Sequence, residues 1–242
     1  MEKLRLAILA SGAGSTGEVI FDKAVVVITN NPDAGVIGRA KRHNIPYKVM
    51  SRKNYQVLGQ DGEVDVEKSR EKYGQALLEV FQNYDVDFIS QNGWSILTPA
   101  NVVVQFRDHI VNAHPAPLDP GHFDFGGQGM HGLAVHQAVL NFARNISRPF
   151  PTEVTLHKVT EKYDEGALLA YTPVEILSDD TAETLQKRVQ EAERKQNVEF
   201  WNKVEQTRKL VVIERPGRLI LPEEVGILDK AKADAIEQFP HG

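Results

Sequence analysis

Asn112 and His114 stand two residues apart at the end of an apolar run, Ile110-Val111, and open a segment rich in Gly, Pro and polar residues that reaches His136. A buried strand ending here delivers an amide and an imidazole together, at the carboxyl end where open α/β sheets bind ligands. Those two groups suit acyl transfer to an amine without a covalent enzyme intermediate. The attacking amine must lose a proton, the carbonyl oxygen becomes an oxyanion, and the leaving nitrogen must be protonated. An amide N–H and an imidazole supply these needs, and a carboxylate from elsewhere can orient the imidazole and raise its pKa. A long loop in a compact domain is functional or disordered; a surface excursion with an incidental His is the alternative reading.

Other chemistries fit less well. No Gly-x-Ser-x-Gly nucleophile turn is present, since Gly14-Ser15-Thr16-Gly17 falls one residue short of it. With no cysteine, disulfides, thiolate nucleophiles and Cys-ligated zinc are excluded. His114, His122, His131 and His136 crowd the segment, but there is no H-E-x-x-H and no i, i+4 His pair on a helix, so no metal is expected. Near the N-terminus, Ser11 to Gly17 follows the apolar run Leu4–Ala10 as a glycine-rich turn, and Gly12, Gly14 and Gly17 satisfy G-x-G-x-x-G. Dinucleotide binding then fails two tests. At most Glu18–Lys23 is left for the crossover helix, and the next strand ends in Thr29-Asn30-Asn31-Pro32 rather than an acidic residue. A cradle for a phosphate monoester fits better, with a plain tight turn as the alternative.

The elements that must position these groups alternate. Strands are expected at 4–10, 24–28, 45–49, 85–90, 110–112, 153–159 and 167–176. Helices are expected at 34–43, 66–84, 99–106, 131–144 and 181–204, the last capped by Asp179 or Asp180 with Glu183 completing a capping box. This is an α/β pattern. Residues 1–204 form the catalytic domain, and 205–242 a C-terminal extension of a small hairpin, from 210–213 and 218–221, and a terminal helix over 225–239. The 242 residues, 41% hydrophobic and 25% charged, describe an ordinary globular chain with a buried core. No apolar run is long enough to span a membrane and no secretory signal opens the chain, so a cytoplasmic, membrane-free protein is expected. The net charge of −5 gives no footprint for nucleic acid.

Ser11-Gly12-Ala13-Gly14-Ser15, Asn112-Ala113-His114-Pro115, His157-Lys158-Val159-Thr160-Glu161-Lys162-Tyr163-Asp164-Glu165-Gly166, and a long helix with Arg188-Val189-Gln190 and Glu193 together resemble the 10-formyltetrahydrofolate-dependent formyltransferases, over roughly residues 4–204. The resemblance implies a Rossmann-like open, twisted, mostly parallel sheet with helices on both faces. It implies formyl transfer from the co-substrate 10-formyltetrahydrofolate to an amine, with phosphoribosylglycinamide as acceptor and a monomer or homodimer as the working form. An amino-sugar nucleotide as acceptor, or a nucleotide-binding module without catalysis, are the alternatives. A short segment after the core speaks against tRNA formylation, and three residues before the first strand against a folate hydrolase. Carried over residue by residue, Asn112 holds the formyl oxygen, His114 is the acid/base, and Asp164 keeps His114 charged. Gly12, Gly14, Ser15, Thr16, Pro115 and Glu193 match the substrate-binding positions, with Thr16 where the family usually has Asn. Trp94, Ser95, Ile96, Leu97, His157 and Tyr163 match those around the folate. The chain departs from the family in a short first crossover, in a Trp94–Leu97 segment that lacks the family's Arg, and in an insertion near 119–128, expected to sit over the substrate as a lid or clamp hinged at Gly126-Gly127.

Overall fold

The computed structural model describes residues 3–240. Seven strands form one sheet: β1 (Leu6–Leu9), β2 (Ala24–Thr29), β3 (Tyr47–Val49), β4 (Phe88–Asn92), β5 (Ile110–His114), β6 (Thr152–Lys158) and β7 (Leu168–Val174). Their order across the sheet is β3-β2-β1-β4-β5-β6-β7. The first five run parallel, and β6 and β7 are antiparallel additions. This is the open, mostly parallel α/β sheet expected from the sequence. Between them lie α1 (Ser15–Glu18), α2 (Val36–Arg42), α3 (Val66–Asn83), α4 (Ala100–Gln105), α5 (Gly132–Ala143), α6 (Ala182–Thr207) and α7 (Val225–Gln238).

All four residues of β1 are buried, as a central parallel strand covered on both faces requires. Period-two alternation splits them. Leu6 and Ile8 pack with Trp201 and Val204 of α6, while Ala7 and Leu9 pack with Tyr73, Leu77 and Phe81 of α3. Strand order reverses beside β1, whose neighbours are β2 on one side and β4 on the other. The carboxyl ends of β1, β4 and β5 therefore flank the switch point where such sheets leave a crevice.

A further core lies beyond β6 and β7. It joins Val135, Val139 and Phe142 of α5 and Leu228, Ala231 and Ala235 of α7 to Ala116, Phe125 and Met130 of the loop after β5. Phe125, Phe142 and Phe150 contact one another with ring centroids 5.0 to 5.7 Å apart. The C-terminal helix thus shares a core with the loop after β5.

Two local expectations are corrected. No strand forms over 210–221: Ile213 N–H bonds Leu168 O, Leu219 N–H bonds Asp119 Oδ2, and Leu219 O accepts from Arg148, so the backbone groups of a hairpin are engaged elsewhere one at a time. The cap of α6 is Thr181, which exchanges reciprocal bonds with Thr184 rather than Glu183. Asp180 is taken by the Arg188 guanidinium, at 2.6 and 2.9 Å, and by Leu177 N–H at 2.8 Å. The last turns of α6 continue past residue 204 to Thr207 because Glu205 accepts from Lys23 and from Leu4 N–H.

Candidate active site

Alternation along β5 puts Asn112 and His114 on one side and Ala113 on the other. The antiparallel register with β6 sets His157 opposite Asn112. His157 Nδ1 lies 2.8 Å from Lys158 O. A carbonyl only accepts, so Nδ1 carries the proton and Nε2 accepts from Asn112 Nδ2 at 3.0 Å. The imidazole thereby fixes the orientation of the amide. The second N–H of Asn112 remains for a carbonyl oxygen in the adjoining cavity, whose wall Asn112 forms.

His114 is 3% exposed. Its Nε2 donates to Phe125 O at 3.0 Å, which leaves Nδ1, 3.7 Å from Asp164 Oδ2, as the nitrogen where a proton comes and goes. Asp164 also stands 3.5 Å from His157 Nε2 and accepts from Gly127 N–H at 2.9 Å. Burial alone would raise the Asp164 carboxyl, but the imidazole of His114 and the Gly127 N–H hold it far below the usual carboxylate range. It is ionised at neutral pH. Burial drives His114 below the ordinary imidazole value, against the pull of that carboxylate. The turn that delivers Asp164 is tightly specified. Asp164 has φ of 56°, and a Cβ at Gly166 would sit 1.7 Å from Lys158 O, so only glycine fits there.

These groups open into a cavity of about 650 Å³ at the switch point. Its opposite wall is the turn after β1, with Gly12, Gly14, Ser15 and Thr16, joined by Glu193 from α6. Gly14 has φ of 71°, and a Cβ there would lie 2.4 Å from the Val36 side chain. Thr16 Oγ1 donates to Glu193 Oε2 at 2.9 Å. Burial pushes Glu193 up to about 7, only partly offset by that bond. Ser15 and Thr16 begin a four-residue helix too short to satisfy their N–H groups internally.

Pro115, Trp94, Ser95 and Tyr163 also line the cavity. Ile96, Leu97 and His157 do not: Ile96 is packed in the core beneath β1 and α3, and His157 lies behind Asn112. Gln186, not named from the sequence, also lines it, as do Gln190, named only as a mark of the long helix, and His136, weighed only as a metal ligand. The two glutamines precede Glu193 by seven and three residues, so the helical period counted back from Glu193 would have found them. Burial takes His136 down to about 3, leaving it uncharged. Among the described residues, no group of three or more His, Asp or Glu side chains is placed to hold a metal ion.

The inserted loop is tied down by burial and hydrogen bonds on both sides of its glycines. Phe125 is fully buried, Asp119 is 8% exposed, and Asp124 accepts from the N–H groups of Asp119 and Gly126, both at 2.8 Å. Its Phe125 carbonyl and Gly127 N–H hold His114 and Asp164. Together the cavity offers a carbonyl-oxygen site at Asn112, a proton site at His114 Nδ1, and a carboxylate beside that nitrogen that favours its protonation.

A family model described as formyl transferase matches residues 4–200. The chain is 34% identical over 204 residues to the chloroplastic phosphoribosylglycinamide formyltransferase of Arabidopsis thaliana, covering 81% of this chain but only 63% of that protein's length. It is 31% identical to the phosphoribosylglycinamide formyltransferase of Dictyostelium discoideum, covering 80% of this chain and 94% of the relative. The crystal structure of the enzyme of that name from Bacillus halodurans superposes with a TM-score of 0.68 at 26% identity, covering 87% of this chain and all of the other. Among the described residues, no helix is long and apolar enough to cross a membrane.

Proposed function

Because the chain belongs to the formyl transferase family, we propose that it transfers the formyl group of 10-formyltetrahydrofolate to the amine of phosphoribosylglycinamide, a step of purine synthesis. The observation that carries this reading is the convergence of Asn112, His114 and Asp164 on a cavity whose far wall is the glycine turn and Glu193. The two reactants fit from opposite sides. The turn with Ser15 and Thr16 offers backbone N–H and hydroxyl donors to a phosphate, and Glu193 faces the rest of the acceptor. Trp94, Ser95 and Tyr163 offer surface to the folate ring system.

In this arrangement the acceptor nitrogen attacks the formyl carbon and the carbonyl pair moves onto oxygen. The oxyanion is held by the free N–H of Asn112 and by the charge on His114. The C–N10 bond then breaks as N10 gains a proton, and the acceptor nitrogen loses one, so the net change is one formyl group exchanged for one hydrogen. Asp164 favours protonation of His114 as charge builds on the oxygen and offers a lone pair for the proton in transit. The nitrogen leaves as a neutral amine.

The test incubates purified protein and 10-formyltetrahydrofolate with phosphoribosylglycinamide, with amino-sugar nucleotides, or with no acceptor, following tetrahydrofolate release and the mass of the formylated product. Turnover with phosphoribosylglycinamide is expected. Turnover confined to an amino-sugar nucleotide would reassign the acceptor, and folate binding without turnover on any acceptor would refute catalysis.

A further inference from the structure

The family match ends at residue 200, yet the chain beyond α6 grips the catalytic loop at four points. Arg215 Nε donates to Leu118 O at 2.6 Å, and Leu219 N–H to Asp119 Oδ2 at 3.0 Å. Lys232 Nζ donates to Asp124 O at 3.2 Å and to Gly126 O at 2.7 Å. Ile236 lies where a Cβ on Gly129 would meet it at 3.1 Å. All four fall on residues 118–129, the part of the loop between His114 and α5. Arg215 is itself fixed, paired with Glu153 of β6 and lying 4.5 Å over the Tyr171 ring.

Lys232 has the most direct line to the chemistry, through two successive peptide units. A peptide group is a rigid plane, so its C=O and N–H turn together. In the first unit, Phe125 O accepts from His114 Nε2 while Gly126 N–H donates to Asp124 Oδ1 at 2.8 Å. In the second, Gly126 O accepts from Lys232 while Gly127 N–H donates to Asp164 at 2.9 Å. The two planes meet at Gly126 and the second ends at Gly127, whose φ of 99° is open only to glycine. Left to themselves, such residues let a peptide turn over. A turned second plane would present the Gly126 carbonyl to the Asp164 carboxylate, and the two oxygens repel.

We infer that Lys232 of the C-terminal extension is a positioning residue for the transfer reaction, holding the Gly126-Gly127 peptide so that Asp164 and His114 keep their partners. The inserted loop and the terminal helix then work as a matched pair: the loop supplies the groups that orient the catalytic side chains, and the helix supplies the cation that orients the loop. Lys232 is half-buried, and the carboxylates facing it are Asp124 and Asp164 from the site side and Asp229 from its own helix. Burial lowers its pKa against the attraction of those three.

The inference rests on the formyl-transfer reading and is tested so that the two can fail separately. Lys232→Met, Lys232→Arg and the control Lys230→Met, a change in an exposed lysine paired with Asp234 on the same helix, are compared with the unaltered chain for kcat, KM, melting temperature and ring-¹⁵N histidine spectra. Lys232→Met should lower kcat roughly tenfold, the size of one oriented hydrogen bond, with melting within a few degrees. Lys232→Arg should recover most of that loss, and Lys230→Met should cost nothing. The His114 Nε2–H resonance, protected from exchange in the unaltered chain and in Lys232→Arg, should disappear or move in Lys232→Met. An unchanged His114 resonance and unchanged kcat in Lys232→Met would overturn the inference, as would equal losses in Lys232→Met and Lys230→Met. Absence of transfer by the unaltered chain would refute the functional reading instead, while the resonance still reports on the positioning role.

Discussion

Replacing Asp164 with Asn removes one charge with little change in shape. The side chain keeps an oxygen for the Gly127 N–H now bound at 2.9 Å, and Asn, like Asp, tolerates the φ of 56° found there. What is lost is the attraction between the carboxylate and a protonated His114, whose Nδ1 lies 3.7 Å away. Opposite unit charges about 4 Å apart interact by about 4 kcal/mol at an effective dielectric constant of about 20. Water and the amide dipole recover part of this, leaving roughly 3 kcal/mol, or about two pKa units. Burial already drives His114 toward its neutral form, so the variant's imidazolium population, and with it kcat at pH 7, should fall on the order of 100-fold. The sign gives a second check. Because the carboxylate raises the His114 pKa, its loss moves the active form to lower pH, and the gap between Asp164→Asn and the unaltered chain should narrow as the assay is acidified. Tetrahydrofolate release followed from pH 5 to pH 9 gives both readings. A variant within threefold of the unaltered kcat at pH 7, or a deficit that stays constant on acidification, would refute this account of Asp164.

Three further outcomes are expected. Asn112→Ala removes an oxyanion donor and should lower kcat by a factor on the order of 100 to 1,000, with far smaller change in KM; a drop confined to KM would move Asn112 from the transition state to simple binding. Glu193 stands at about 7 instead of 4.5, so the fold favours its protonated form: the associated stability is fully present below about pH 4.5 and is lost as pH rises through 7. Denaturant titrations at pH 5 and pH 8 should therefore show a loss of up to about 3 kcal/mol for the unaltered chain and none for Glu193→Gln at this site; parallel pH profiles would contradict the assignment. Gly166→Ala drives a Cβ into the Lys158 carbonyl, and should destabilise by roughly 3 kcal/mol and lower Tm by roughly 10 °C; a melting temperature unchanged by this substitution would mean the turn is not held as described.

How much of this was legible in the sequence depended on how far each interaction reaches along the chain. The parallel sheet was readable because each strand carries its own signature, such as the unbroken buried run of β1. Asn112 and His114 were readable as a pair because one strand delivers both to one face, whereas Asp164 was reached through the family resemblance, its turn being the segment that ends in Gly166. Where two local partners competed, the reading failed: Asp180 looked like a cap for α6 but is held by Arg188, and Thr181 caps instead. The region from 210 to 221 alternates like a hairpin, yet the N–H groups of Leu219 and Leu221 find side-chain partners 100 and 3 residues away. The inserted loop, expected as a lid or clamp, is where partners distant in the chain matter most. Gly126-Gly127 reads as a hinge because two glycines, taken alone, are mobile. A carbonyl that orients a catalytic imidazole has no signature, since every residue has one, and the lysine that fixes its neighbour comes from 106 residues further on. Glycine is needed there because Gly127 has φ of 99° and a Cβ on Gly126 would lie 2.7 Å from the Asp164 side chain, and hydrogen bonds from outside the pair hold both peptide planes. On the positioning role inferred for Lys232, the same pair of residues would be a hinge without it and is a clamp with it, so the geometry of the loop is set half by its own residues and half by the terminal helix.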